Sequence, residues 1–164
     1  MTILYASIQA RCQNINVIGF LIGKHFLILK QASIANQLFP FELSDEDSLI
    51  QIDFWFQRDK LTFAVDTGAS HTVIDLAPLL IAGYELKNAI GMVELETGKG
   101  IIEAHVFRIP RITALGITRE AFEICSYDFF NNNIFSTFDG ILGLDFLRNN
   151  KICIDFRKSI ITMS

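Results

Sequence analysis

Phe63-Ala64-Val65-Asp66-Thr67-Gly68-Ala69-Ser70 is an apolar run that stops on an acid, a hydroxyl residue and a glycine. A carboxylate at the end of a buried strand is costly unless it is paired or used. Upstream, residues 49–56 and 61–65 are β-branched and aromatic runs separated by the polar Gln57-Arg58-Asp59-Lys60, a hairpin pattern. Asp66 is therefore expected where the second strand of that hairpin ends, with Gly68 allowing a tight turn beside the carboxylate. Taken alone the motif is ambiguous, because turns after strands use Asp, Thr and Gly for structural reasons too.

Working outward, residues 92–96 and 101–109 flank Thr97-Gly98-Lys99-Gly100, whose glycines suit the tip of a second, longer hairpin. Residues 122–127 alternate as a strand and run into the polar Asn131-Asn132-Asn133. Residues 144–149 suit one or two helical turns, and 151–156 with 159–163 close the chain as a hairpin over Arg157-Lys158. No repeat or low-complexity segment interrupts this. The fold class expected is all-β, a barrel-like domain with one short C-terminal helix. Pro40 and the acidic Ser44-Asp45-Glu46-Asp47-Ser48 mark a boundary, dividing an N-terminal extension (1–43) from the domain (48–164). Within the extension, 15–22 and 25–30 could be two strands or one helix, and periodicity does not separate these.

A second element changes the weight of the first: Phe138-Asp139-Gly140-Ile141-Leu142-Gly143-Leu144-Asp145-Phe146-Leu147, an apolar pair ending in glycine before a short helix. The combination resembles the retropepsin family of aspartic proteases. In that family an apolar-apolar-Gly element, here Ile141-Leu142-Gly143, threads behind the catalytic loop as structural support. A glycine-tipped hairpin, here Thr97 to Gly100, covers the substrate. The resemblance thus assigns Asp66, Thr67 and Gly68 to catalysis, and Ala69, Ser70, Thr97, Gly98, Lys99 and Gly100 to substrate contact. Several retroviral members carry an acid after Asp-Thr-Gly-Ala and an Arg after the apolar-apolar-Gly element. This chain has Ser70 and Leu144 there, so both partners of an ion pair are replaced together, which implies a cellular or bacterial branch.

Peptide hydrolysis of this kind uses two carboxylates sharing one proton, because like charges about 3 Å apart cannot both ionise. One Asp-Thr-Gly per chain implies a homodimer acting on a polypeptide substrate, with no cofactor and no metal. The alternative is a non-cleaving dimerisation or peptide-binding module of the same fold. A two-lobed protease in one chain would need roughly twice this domain. Asp139, before Gly140, reads as a turn or helix-approach residue, Asp145 as solvent-facing on the short helix and Asp155 as a structural acceptor. His71 has no second ligand at metal-binding spacing and reads as a packed or surface imidazole. Ser70 lacks the Gly-x-Ser-x-Gly elbow of a nucleophile and is expected to hydrogen-bond loop or substrate backbone.

Composition excludes other classes. In 164 residues, hydrophobic side chains make up 51% and charged ones 20%, a balance that suits a packed domain and not a disordered chain. The formal charge is −4 and no basic stripe is present, so nucleic acid is not an expected partner. Cys12, Cys125 and Cys153 are odd in number and scattered, which fits reduced core thiols in a cytoplasmic protein. The apolar window 17–29 is broken by Lys24 and His25 and is shorter than the roughly 20 residues of a bilayer-crossing helix, so no membrane partner is expected. It also lacks the ordering of a signal peptide.

Overall fold

Of the two readings of the N-terminal apolar stretches, the strand pair is the one formed: β1 (Val17–Ile22) and β2 (His25–Lys30) are antiparallel, from Val17 opposite Lys30 to Ile22 opposite His25. Their Ile, Val and Phe content favours extended backbone over helix. The structure, a computed structural model, describes residues 17–22, 25–30, 37–41, 49–98 and 100–164. It divides into two compact units, Met1–Asn36 with Ser164, and Gln37–Met163. No helix among the described residues is long and apolar enough to cross a membrane.

The second unit begins with β3 (Gln37–Pro40), which falls inside the 1–43 extension drawn from sequence. In β4 (Gln51–Phe56), Ile52, Phe54 and Phe56 are buried while Asp53 and Trp55 are exposed, the alternation of a strand with one face on a core. It hairpins into β5 (Asp59–Val65), and Gln57 takes a left-handed φ of 56° in the turn. The chain continues through β6 (Val73–Asp75), α1 (Leu76–Ile81), a 3-10 turn (Leu86–Asn88), β7 (Gly91–Thr97) and β8 (Gly100–Ala114). Then follow β9 (Ile117–Tyr127), β10 (Gly140–Leu142), α2 (Leu144–Leu147), β11 (Ile152–Asp155) and β12 (Ile160–Met163).

The strand order β4-β5-β10-β6-β9-β8 closes on itself through β4–β8 pairing, giving a six-stranded barrel with β7 appended outside β8. Closure removes the free edges that an open sheet exposes. Phe54 and Phe63, fully buried, stack at 3.8 Å inside it. Phe107, Ile112, Leu142 and Phe146 complete the core around them. A smaller sheet, β11-β12-β3, carries β12 in its centre.

Two expectations need amendment. Besides the expected C-terminal helix α2 there is α1, missed because its six residues are too few to show a period; Asp75 caps it, accepting from Leu76 N–H at 2.9 Å. Cys125 is buried in the core, whereas Cys153 on β11 is exposed. Cys12 lies outside the described residues.

Candidate active site

Asp66 follows directly on β5, and its position is set by the strand beside it. β10 runs parallel to β5, pairing Gly140 with Phe63, Ile141 with Ala64 and Leu142 with Val65. The ladder continues past the strand end, where Asp66 N–H donates to Leu142 O at 3.1 Å. The loop then turns on itself. Ala69 N–H donates to Asp66 O at 3.2 Å, and Gly68 N–H donates to the Asp66 Oδ1 carboxylate oxygen at 2.8 Å. A side chain at Gly68 would place its Cβ 3.1 Å from that same Oδ1, so glycine keeps this approach open. Asp66 is half-buried, Thr67 and Gly68 exposed, and Asp66 Oδ2 has no hydrogen-bond partner among the described residues.

Ile141 and Leu142 run beside the end of β5, with Leu142 fully buried, and Gly143 follows them. Gly143 is required for space and not for an unusual φ, which is −94°. A Cβ there would lie 2.5 Å from the backbone carbon and oxygen of His71 and 2.9 Å from Thr72 N. Leu144 N–H donates to Ala69 O at 2.8 Å, tying the start of α2 to the Asp66 loop.

Asp145 corrects the expectation of a solvent-facing acid. Its Oδ2 accepts from Thr72 N–H at 2.9 Å and its Oδ1 from Thr72 Oγ1–H at 2.6 Å. Thr72, fully buried, in turn accepts from Gly143 N–H at 3.1 Å. The burial of Thr72 makes these bonds worth more than at the surface, because no water can replace Asp145 as its partner. The sequence signal was available only in part: an acid two residues after the glycine is visible, its buried Thr partner is not. Asp139 is structural as expected, its Oδ2 accepting from Thr62 N–H at 2.8 Å. Asp155 is likewise an acceptor, of Arg157 N–H at 3.0 Å. Ser70 and His71 pair with each other, Oγ to Nδ1 at 2.8 Å. Among the described residues no three His, Cys, Asp or Glu side chains cluster as metal ligands would.

The second set of candidates forms a unit of its own. From Thr97–Gly100 to Gly91–Val106, β7 pairs with β8, while β9 pairs with β8 only from His105 onward. Residues 93–103 therefore extend beyond the β9 pairing as a two-stranded ribbon. At its tip Thr97 Oγ1 donates to Gly100 O at 2.8 Å, and Gly100 adopts a φ of 118° that other residues rarely take. Gly98 is exposed, and Lys99 lies outside the described residues.

A family model described as aspartyl protease matches residues 52–146, more than half of the chain and spanning the Asp66 loop, the ribbon and the Gly143 element. The chain belongs to the aspartyl protease family. Its fold is that of the retropepsin-like members. A retropepsin-like aspartic protease from Rickettsia conorii superposes with a TM-score of 0.55 at 16% identity, over 79% of this chain and 90% of that one. The retroviral protease-like domain of Ddi1 from Leishmania major gives a TM-score of 0.46 at 16% identity, over 71% and 88% respectively. No curated protein matches the sequence. Within this aspartyl protease chain, the family match and the hydrogen-bonded loop fall on the same residues, Asp66 to Ala69 backed by Leu142 to Leu144.

Proposed function

We propose that the chain is an aspartic endopeptidase, active as a homodimer in which two Asp66 carboxylates hold and activate one water. The observation that carries this reading is the state of Asp66: one oxygen anchored by Gly68 N–H, the other unpartnered among the described residues, on a loop locked from behind. A second acid is needed to divide the roles of base and acid. The other acids nearby in the fold are engaged: Asp139 with Thr62, Asp145 with Thr72, and Asp75 with Leu76 and Phe129. That leaves Asp66 of a second copy as the partner. Thr67, exposed and without a side-chain hydrogen bond among the described residues, suits a contact across the two-fold axis.

In this mechanism one ionised Asp66 takes a proton from the water as it attacks the scissile carbonyl. The protonated Asp66 hydrogen-bonds the developing oxyanion, and a proton is then returned to the leaving amine. Ala69 and Ser70 border the bound peptide. The Thr97–Gly100 tip covers it as an extended strand, excluding water. No metal or cofactor takes part in these steps. The unpaired Cys125 and Cys153 suit a reducing compartment such as the cytoplasm.

The test is cleavage of a mixed peptide library near pH 5, wild type against Asp66→Asn. The substitution keeps shape but removes the ionisable group, so hydrolysis should vanish while circular dichroism and thermal unfolding stay unchanged. Full activity in the variant would overturn the assignment. Peptide binding without cleavage by the wild type would identify the non-cleaving module instead.

A further inference from the structure

α2 has four residues, too few to be stable by its own hydrogen bonds, so other elements must fix both of its ends. The first end is the support of the Asp66 loop: Leu144 N–H donates to Ala69 O, and the Asp145 carboxylate accepts from Thr72. The last end offers carbonyls that no N–H of the helix reaches. Arg119 of β9 meets them. Its Nη2 donates to Phe146 O at 2.8 Å and to Arg148 O at 3.0 Å. Its guanidinium carbon lies 5.6 Å from the centre of the Phe146 ring, within cation–π range. That ring is fully buried and edge-on to Phe122 at 5.8 Å.

Three features separate Arg119 from the other arginines of the barrel strands. Arg108 and Arg111 form exposed ion pairs with Glu123 and Glu120, whereas Arg119, half-buried, has no carboxylate partner among the described residues. It also lies opposite Ile112 of β8, which is fully buried. Residues paired in this way share a face of the sheet, so a cation occupies a position where the core would accept an apolar side chain. Finally, its Nε is enclosed without a hydrogen-bond partner, which is destabilising. The arrangement is poor as a stabiliser of the barrel and well formed as a grip on one helix end. Asn150 Nδ2 also donates to Arg148 O, at 2.9 Å, but no other donor to Phe146 O is found among the described residues.

We infer that Arg119 is a positioning residue for Asp66. By holding the C-terminal carbonyls of α2 it fixes the helix, and through Leu144 N–H and Asp145 the helix fixes the loop that carries the carboxylate. It acts through α2 and makes no hydrogen bond to Asp66. A loop free to shift by about 1 Å loses the alignment of carboxylate, water and scissile carbonyl. The loss falls on kcat, because the ribbon that covers the peptide is not part of this linkage. The kinetic part rests on the protease reading; the link from Arg119 to the loop does not.

The test compares the full chain as wild type, Arg119→Met, Arg119→Lys and Arg108→Met, by peptide cleavage and by ¹⁵N-resolved amide hydrogen exchange. Methionine keeps an apolar stem and removes the donors. Arg108→Met removes an arginine from the same sheet without touching α2, and should match wild type in both measurements. Arg119→Met should lower kcat roughly tenfold with KM changed less than about twofold. In the same variant the Leu144 and Thr72 amides should exchange about tenfold faster, while the protected amides of the β4–β5 hairpin keep their wild-type rates. Lysine has the charge without the fork, so Arg119→Lys should fall between the two on both readouts, and it carries the comparison alone if Arg119→Met does not fold. Equal acceleration of both sets of amides, or an unchanged kcat, would show a residue that serves the fold alone and would overturn the inference. A wild type that cleaves no peptide counts against the protease reading instead, and the exchange comparison then decides the link between Arg119 and the loop by itself.

Discussion

Gly143 and Cys125 show how much single residues decide here. An alanine at Gly143 cannot relieve its clash by rotating a side chain, because the atoms it meets are the backbone of His71 and Thr72. Gly143→Ala should therefore cost about 3 kcal/mol or more, read as a lower urea midpoint, with activity falling as the Asp66 loop is displaced. An unchanged midpoint would mean that the loop and α2 separate freely. Cys125 bears on pH. Burial first, then the charges of Asp145 and Glu123, push its thiol from 9.0 up to about 11. Between those values the unfolded chain has lost the proton and the folded chain keeps it, so the native state binds more protons and stability falls as pH rises. The stabilising difference is intact below pH 9, and at most about 2–3 kcal/mol of it is lost by pH 11. Urea unfolding across that range should show a steeper loss for wild type than for Cys125→Ala; parallel curves would remove this account. At pH 8 the thiol should resist alkylation while Cys153 reacts.

At the scale of elements, the small sheet reveals a dependence that a boundary drawn at the acidic stretch hides. β12 is hydrogen-bonded along both edges, by β11 and by β3, and Phe41, immediately after β3, is buried against Phe156 in an edge-on contact at 6.0 Å. Removing residues 1–36 keeps β3 and Phe41 in place. Removing 1–41 takes away β3 and Phe41 together, and the loss of one buried Phe alone is worth roughly 3–5 kcal/mol. Equal urea midpoints for the two truncations would show that β3 is dispensable. The same pairing alters where a second copy could add a strand. In the proposed homodimer, the chain-end residues 159–163 would be the natural place for such a strand. With both edges of β12 occupied within the chain, a second copy could not pair with β12 without displacing β3 or β11.

For the whole molecule, the shared-proton mechanism makes assembly a quantitative matter. If both Asp66 residues of a dimer are needed, activity follows the fraction of all-wild-type dimers. After subunit exchange, an equal mixture of wild type and Asp66→Asn should retain roughly a quarter of the activity expected from the total chain concentration. Retention of half would mean that each chain works alone. Specific activity should also fall on dilution in parallel with loss of the dimer by sedimentation.

Much of this was legible in the sequence because it depends on neighbours along the chain. An apolar run ending in Asp-Thr-Gly, an Ile-Leu-Gly before a short helix and a glycine-tipped hairpin are local patterns, and they located the Asp66 loop, its support and the ribbon. What lay beyond reading depends on contacts between distant residues. Nothing in the spelling of Asp145 says that Thr72, 73 positions away, is buried with both donors aimed at it. Nothing in residues 37–40 says that they pair with 160–163. The sequence determined by itself where the Asp66 loop, the Ile-Leu-Gly element and the glycine-tipped ribbon lie, since turn and strand preferences are short-range. Only the tertiary structure decided which polar groups are satisfied and which are left waiting for a partner, because burial and hydrogen bonding are properties of the packed whole.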